Sequence, residues 1–335
     1  MKVLFIGGTG TISYSSTLLA KEKGIDLYLL NRGKSELRPI PEGVRLLKAD
    51  IRDPNSVAEA LGTLKFDAVA DFIAFTPEHI ETDLALFRGK TGQYLFISSA
   101  SAYQTPPSTL PVTESTLLDN PAWEYSRNKI ACEERLARAY REEKFPFTIV
   151  RPSHTYDQVY IPVHGGWTVV DRMLRGLPVI VHGDGSSLWT LTHSSDFAKG
   201  FVGLLGNSHA IGEVYHITSD EWLTWDQIHQ VIAKALGVDA RIVHVPSDLI
   251  AAYDADWGDS LLGDKTHSFV LDNSKIKKAV PGFACTKPFS VGIQESLDWY
   301  HADPDRQVVD GQFNALCERI LAAYAKAWPN GSIRY

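Results

Sequence analysis

A chain of 335 residues, 44% hydrophobic and 22% charged, carries enough apolar material for one large core or two modest ones. Its net charge of −7, from 33 basic and 40 acidic residues, offers no broad basic surface and argues against nucleic-acid binding as the main role. No apolar run approaches the ~18 residues of a membrane span and the chain opens on a strand rather than a leader, so a cytoplasmic protein without a membrane partner is expected.

The first element is the apolar run Val3-Leu4-Phe5-Ile6, which leads into Gly7-Gly8-Thr9-Gly10-Thr11-Ile12-Ser13 and a helical stretch through Leu18, Leu19 and Ala20. Strand, glycine turn and helix in that order predict a dinucleotide site. Glycines let the backbone approach a pyrophosphate, and the free amides at the helix start neutralise it. Gly7, Gly10, Thr11 and Ile12 are the expected contacts. Ser13 stands where the usual fingerprint has a third glycine, so either the helix is displaced or the serine fits.

The second strand, Asp26 to Leu30, ends at Asn31-Arg32-Gly33-Lys34-Ser35 rather than at an acidic residue. Two cations, an amide and a hydroxyl suit a ribose 2′-phosphate, which favours NADP over NAD through Asn31 and Arg32. The strand Val44 to Lys48 then places Asp50, with Ile51, near the adenine edge. Phe72, after the strand Ala68 to Asp71, and Pro152, after Phe147 to Val150, complete the expected cofactor contacts.

Between them, Gln93 to Ile97 reads as a strand, and Pro77 to Phe87 and Trp123 to Glu143 as helices. This alternation requires a parallel sheet covered on both faces, an α/β Rossmann-type doubly wound fold with a smaller C-terminal substrate-binding lobe. On the second helix, Tyr125 and Lys129 are four residues apart and share a face. A fixed cation beside a buried phenol favours its anion, bringing the tyrosine toward use as a base.

Together the Gly7 to Ser13 turn, Asp50, the run Phe96 to Tyr103, the Tyr125/Lys129 pair, Arg151-Pro152, His182 to Gly185 and Thr192-His193 resemble the extended short-chain dehydrogenase/reductase family of NAD-dependent epimerases and dehydratases. The likeness covers about residues 1 to 300. It implies Tyr125 as general base on a sugar hydroxyl, Ser99 as the orienting hydroxyl, and Lys129 as the ribose-holding cation that lowers the tyrosine pKa. It also implies a homodimer through the helix carrying Tyr125. Residues 1–152 are expected to form the dinucleotide domain, with 190–218 returning to it. The substrate lobe is expected at 153–189 and 219–303, and a helical extension at 304–335, where Val308, Phe313, Leu316, Ile320, Tyr324 and Trp328 recur at helical spacing.

Departures from the family pattern narrow the chemistry. The acidic pair with which family dehydratases eliminate water is replaced by Ala100 and Ser101, which disfavours dehydration. The arginine after the Gly-Asp-Gly turn is replaced by Trp189, a second arginine near Leu261 to Asp264 is missing, and His154 stands for the usual asparagine. Losing three charge-assisted contacts of about 1.5–3 kcal/mol each weakens a diphosphate ligand. Ser101, Tyr103, His154 and Trp189 are therefore expected to contact a sugar, glycoside or nucleoside.

Arg172, Arg175, Lys265 and His267 remain available as relocated phosphate contacts for a nucleotide-sugar epimerase, the alternative. A non-catalytic NADP-binding or RNA-binding protein on the same scaffold, like the chloroplast stem-loop RNA-binding relatives that the Gly-Gly-Thr turn resembles, is the rival class. Residues 254–264 read as a mobile loop over the substrate. Three separated cysteines and histidines without zinc spacing predict neither a disulfide framework nor a metal.

Overall fold

The computed structural model describes residues 1–329. Its centre is a seven-stranded, all-parallel sheet of β1 (Lys2–Ile6), β2 (Asp26–Asn31), β3 (Arg45–Lys48), β4 (Ala68–Asp71), β5 (Tyr94–Ile97), β6 (Phe147–Pro152) and, after the excursion described below, Val214–Ile217. The last strand pairs with β6, and the spatial order runs from it through β6, β5, β4 and β1 to β2 and β3. The chain therefore winds one way from β1 to β3, crosses, and winds the other way from β4. Between β1 and β4 lies the switch point, where ligands of such sheets bind beyond the carboxyl ends of the strands.

Four helices accompany these strands: α1 (Thr11–Glu22), α2 (Pro54–Leu61), α3 (Pro77–Phe87) and α4 (Glu124–Glu143). Asp53 caps α2 by accepting from Asn55 N and Ser56 N, and Pro54 fits its first turn. Buried strand residues alternate between two cores, Val3 and Phe5 on one face and Leu4 and Ile6 on the other, as a sheet covered on both sides requires.

After β6 the chain runs β7 (His154–Tyr156), α5 (Trp167–Leu174), β8 (Val179–His182), β9 (Leu188–Trp189), β10 (Leu191–His193), α6 (Ser194–Leu204) and β11 (Val214–Ile217), the strand already placed beside β6. Then follow β12 (Leu223–Thr224), α7 (Trp225–Leu236), β13 (Ile242–Val245), α8 (Ser247–Tyr253), α9 (Ala255–Ser260), α10 (Ser274–Ala279), α11 (Phe289–His301) and α12 (Gly311–Ala325). Small two-stranded sheets join β7 with β10, β8 with β13 and β9 with β12. α6 packs on α1, where Ser15 Oγ and Ser194 Oγ lie 2.7 Å apart. Among the described residues no helix is long and apolar enough to cross a membrane.

The C-terminal helix packs on its own chain. Phe313, Leu316 and Ile320 enter a third core, shared with Trp167, Val170 and Trp257, and Arg172, itself buried, holds Asn314 Oδ1 at 2.6 Å and Glu318 at 2.7 Å. Residues 254–264 are not a loop. They form α9 and the start of a π-helical turn at Leu261–Lys265, tightened by Asp254, which accepts from Trp257 N. Their acids and glycines resemble loop composition, but Trp257 and Leu261 have a core to enter.

Candidate active site

Two adjoining regions meet at the carboxyl edge of the sheet. The first is the glycine turn. Gly7 and Gly8 adopt φ of +104° and +82°, and a Cβ on Gly8 would fall 2.5 Å from Leu29 Cδ2, so neither residue tolerates a side chain. Ser13 fits the third-glycine position without displacing α1: it is buried, and its Oγ accepts from Gly10 N at 2.9 Å. Gly10, the N-cap, has no side chain to accept the first-turn amides of α1, which leaves those donors for an anion. The turn fits the pyrophosphate of a dinucleotide.

Asn31 is engaged at both ends, donating from Nδ2 to Gly7 O at 2.9 Å and accepting from Gly33 N at 2.8 Å. It fixes the turn to the end of β2. Arg32 is exposed beside it. Asp50 caps its own turn through Arg52 N at 3.0 Å, and Ile51 is buried beside it. The ring of Phe72 is buried, packed edge-on against Phe5 and tilted against Phe201. Hydrophobicity at a strand end marked the position but could not tell a wall from a core.

The second region is a cavity of about 450 Å³, a volume suited to a small organic ligand. Ser99, Ser101, Tyr125, Pro152, His154 and Trp189 all line it. Ser126 Oγ donates to Ser101 Oγ at 2.9 Å, and Ser101 lies 2.8 Å from Ser99 Oγ. With Ser101 donating onward, the Ser99 proton is directed toward Tyr125 and the cavity. Ser126, which completes this relay from α4, carried no signal of its own in the sequence.

Tyr125 does not ionise near neutrality. Burial pushes its phenol up to about 12, the Ser99 hydroxyl opposes this by hydrogen bonding, and the Asp264 carboxylate adds to it. The expected lowering by Lys129 is overruled because the lysine is desolvated too, which brings its ammonium down to about 8. Lys129 Nζ donates to Ala74 O and Ile97 O, each at 2.7 Å, and lies 5.6 Å from the Tyr125 ring centroid. At neutral pH the phenol is a proton donor.

Tyr103 does not line the cavity. Its ring is fully buried, and its hydroxyl accepts from Arg151 Nη1 at 2.7 Å and faces His216 Nε2 at 2.6 Å. Arg151 also donates from Nε to Glu133 Oε1 at 2.9 Å, so this cluster ties β6 to α4 beneath the site. From sequence it is expected among the sugar contacts, but the short 3₁₀ turn at Ala100–Ala102 sends the tyrosine inward.

The cavity walls are aromatic. Trp123 lies 4.9 Å from Tyr125, and Trp189 lies 5.7 Å from Trp225, between ring centroids. Trp189 Nε1 donates to His154 Nδ1 at 3.4 Å, and burial holds His154 down to about 3 and His182 to about 4, so both are neutral. Among the described residues Asp264 and Lys265 are the only lining carboxylate and ammonium, and none of the lining residues is an arginine. Lys265 Nζ lies 3.5 Å from Asp264 Oδ2 and within 5.3 Å of Trp123 and 5.7 Å of Trp189. The other cations considered for phosphate are elsewhere: Arg172 holds α12, Arg175 pairs with Asp171 at 3.1 Å, and His267 is outside the lining.

Residues 3–218 match the model of the NAD dependent epimerase/dehydratase family. The chain belongs to that family. It is 27% identical over 256 residues to a 2'-dehydrokanamycin reductase of Streptomyces kanamyceticus, covering 75% of this chain and 71% of the relative. It is 30% identical over 258 residues to the chloroplast stem-loop binding protein of 41 kDa b of Arabidopsis thaliana, covering 72% and 65% respectively. Among solved structures, an epimerase of Methanothermobacter thermautotrophicus superposes with a TM-score of 0.75 at 18% identity, over 91% of this chain and 94% of that one. The UDP-glucose 4-epimerase of Thermus thermophilus, solved with NAD, gives 0.71 at 20%, over 90% and 99%. These likenesses establish the α/β Rossmann-type fold with its parallel central sheet, and the family is one of sugar-modifying, NAD-dependent enzymes.

Proposed function

We propose that this family member is an NAD(P)-dependent oxidoreductase for a sugar or glycoside without a diphosphate, working between a ketone and a secondary alcohol. The observation that carries it is the charge of the cavity. Beside Ser99 and Tyr125 stand aromatic rings, neutral histidines and a single Asp264/Lys265 pair, with no arginine among the described residues to hold a diphosphate. Indole faces suit the apolar face of a sugar ring, and the carboxylate/ammonium pair can accept from and donate to its hydroxyls. The relative named a 2'-dehydrokanamycin reductase supports the same reading.

The bound cofactor supplies the hydride. Tyr125, protonated at neutral pH, gives its proton to the carbonyl oxygen as the carbon is reduced, and Ser99 donates a hydrogen bond to that oxygen. The resulting phenolate lies beside the Lys129 ammonium, 5.6 Å from the ring centroid, and the same ammonium would hold the nicotinamide ribose of a bound cofactor. The oxidation runs the same steps backward, with Tyr125 as base; an epimerase would couple the two within one binding event. NADP is the preferred form, on the cations Arg32 and Lys34 and the absence of an acid at the end of β2. The acidic net charge speaks against the RNA-binding alternative.

The test is reduction of a panel of keto-glycosides and of nucleotide-linked keto-sugars, with NADH and NADPH compared. Turnover of the glycosides with NADPH is expected. Preference for nucleotide-linked sugars would overturn the substrate reading, and no oxidation of either cofactor with any member would point back to a binding protein.

A further inference from the structure

The stretch from Arg32 to Pro39 is exposed at every position except Arg38. That side chain turns inward and is only 13% exposed. Its guanidinium makes a bidentate pair with Asp157, Nε to Oδ2 at 2.7 Å and Nη2 to Oδ1 at 3.0 Å, and Nη2 also donates to Thr11 Oγ1 at 3.0 Å. Thr11 opens α1, where the turn leaves its amides free. Asp157 follows β7 on the substrate side, is only 8% exposed, and is anchored where Ser296 Oγ of α11 donates to its carbonyl at 3.0 Å. Nη1 has no partner among the described residues.

We infer that Arg38 is a phosphate ligand of the dinucleotide and, with Asp157, a clasp that closes the loop after β2 over the pyrophosphate. A nearly buried ion pair is costly to hold together merely for stability, and this one joins three segments far apart in sequence at the mouth of the anion site. A planar guanidinium can keep its fork on Asp157 and present its remaining N–H groups to a phosphate oxygen. The clasp couples cofactor release to separation of the loop from the substrate lobe. This inference rests on the dinucleotide reading above but not on the identity of the sugar.

The experiment is direct binding of NAD⁺ and NADP⁺ to the full chain by calorimetry, with release of the reduced forms followed by their fluorescence in stopped flow. Arg38→Ala should weaken both cofactors at least tenfold and speed their release by a similar factor. Arg38→Lys, which keeps the charge and loses the fork, should fall between it and the parent. Asp157→Asn should speed release at least fivefold. Unchanged affinity and release in folded Arg38→Ala and Arg38→Lys would overturn the proposal. A loss confined to NADP⁺ would place Arg38 at the ribose phosphate and overturn the pyrophosphate assignment. Normal release from Asp157→Asn would overturn the clasp. Failure of the parent chain to bind either dinucleotide would instead refute the cofactor reading itself.

Discussion

The glycine turn and the aromatic cavity sit side by side, yet one is contained in Gly7 to Ser13 and the other draws its walls from the ends of β5 and β6, the start of α4, the short strands after β6 and the π-helical turn at Leu261–Lys265. The turn works through backbone: amides, positive φ angles and one serine hydroxyl. The cavity works through side chains whose protonation depends on how deeply each is packed. A local motif can thus specify cofactor binding, while substrate choice waits on the packing of distant segments.

This contrast predicts that changes at the cavity alter catalysis without touching the cofactor. The largest effect should follow Tyr125→Phe, with kcat down by about a thousandfold and dinucleotide affinity within about twofold of the parent; unchanged turnover would remove the phenol from the chemistry. Glu133→Gln should come next. It leaves the buried Arg151 guanidinium without its carboxylate, a loss of about 3–5 kcal/mol, measured as a shifted urea midpoint; a stability near that of the parent would show the pair to be dispensable.

Asp264→Asn tests the reverse sign. Burial raises this carboxyl to about 6, above the ordinary value of about 3.9. The folded state therefore binds the proton more tightly than the unfolded chain, and stability falls as pH rises from about 4 to about 6. The amide should recover about 2 kcal/mol at neutral pH and flatten that slope, while impairing turnover of a hydroxylated substrate. An unaltered stability profile would show that burial does not hold the proton on Asp264. The smallest effect is expected from Trp189→Ala, a rise in KM of about fivefold with little change in kcat, as for loss of an aromatic platform of about 1 kcal/mol. A fall in kcat with KM unchanged would mean that the indole shapes the site rather than binding the sugar.

The positions of Ser99, Tyr125, Lys129, His154 and Trp189 were legible in the sequence because each lies at a strand end or on a strongly patterned helix. Their electrostatics were not. Lys129 looked like the group that would acidify Tyr125, but burial desolvates both, so the tyrosine is raised and the lysine lowered. Tyr103 looked like a ligand contact four residues after Ser99, and a single 3₁₀ turn buries it instead. Residues 254–264 looked like a loop by composition, and two apolar side chains with a core to fill made them helical.

By itself the sequence determined the parallel sheet, the glycine turn and the Tyr125/Lys129 face, because hydrophobic periodicity and backbone freedom act over a few neighbouring residues. Only the tertiary structure decided that no arginine among the described residues reaches the cavity, that Asp264 and Lys265 are the one charged pair those residues give it, and that Arg38 meets Asp157 beside the glycine turn. Those facts depend on which side chains converge from segments more than a hundred residues apart, and on the solvent each loses when they do.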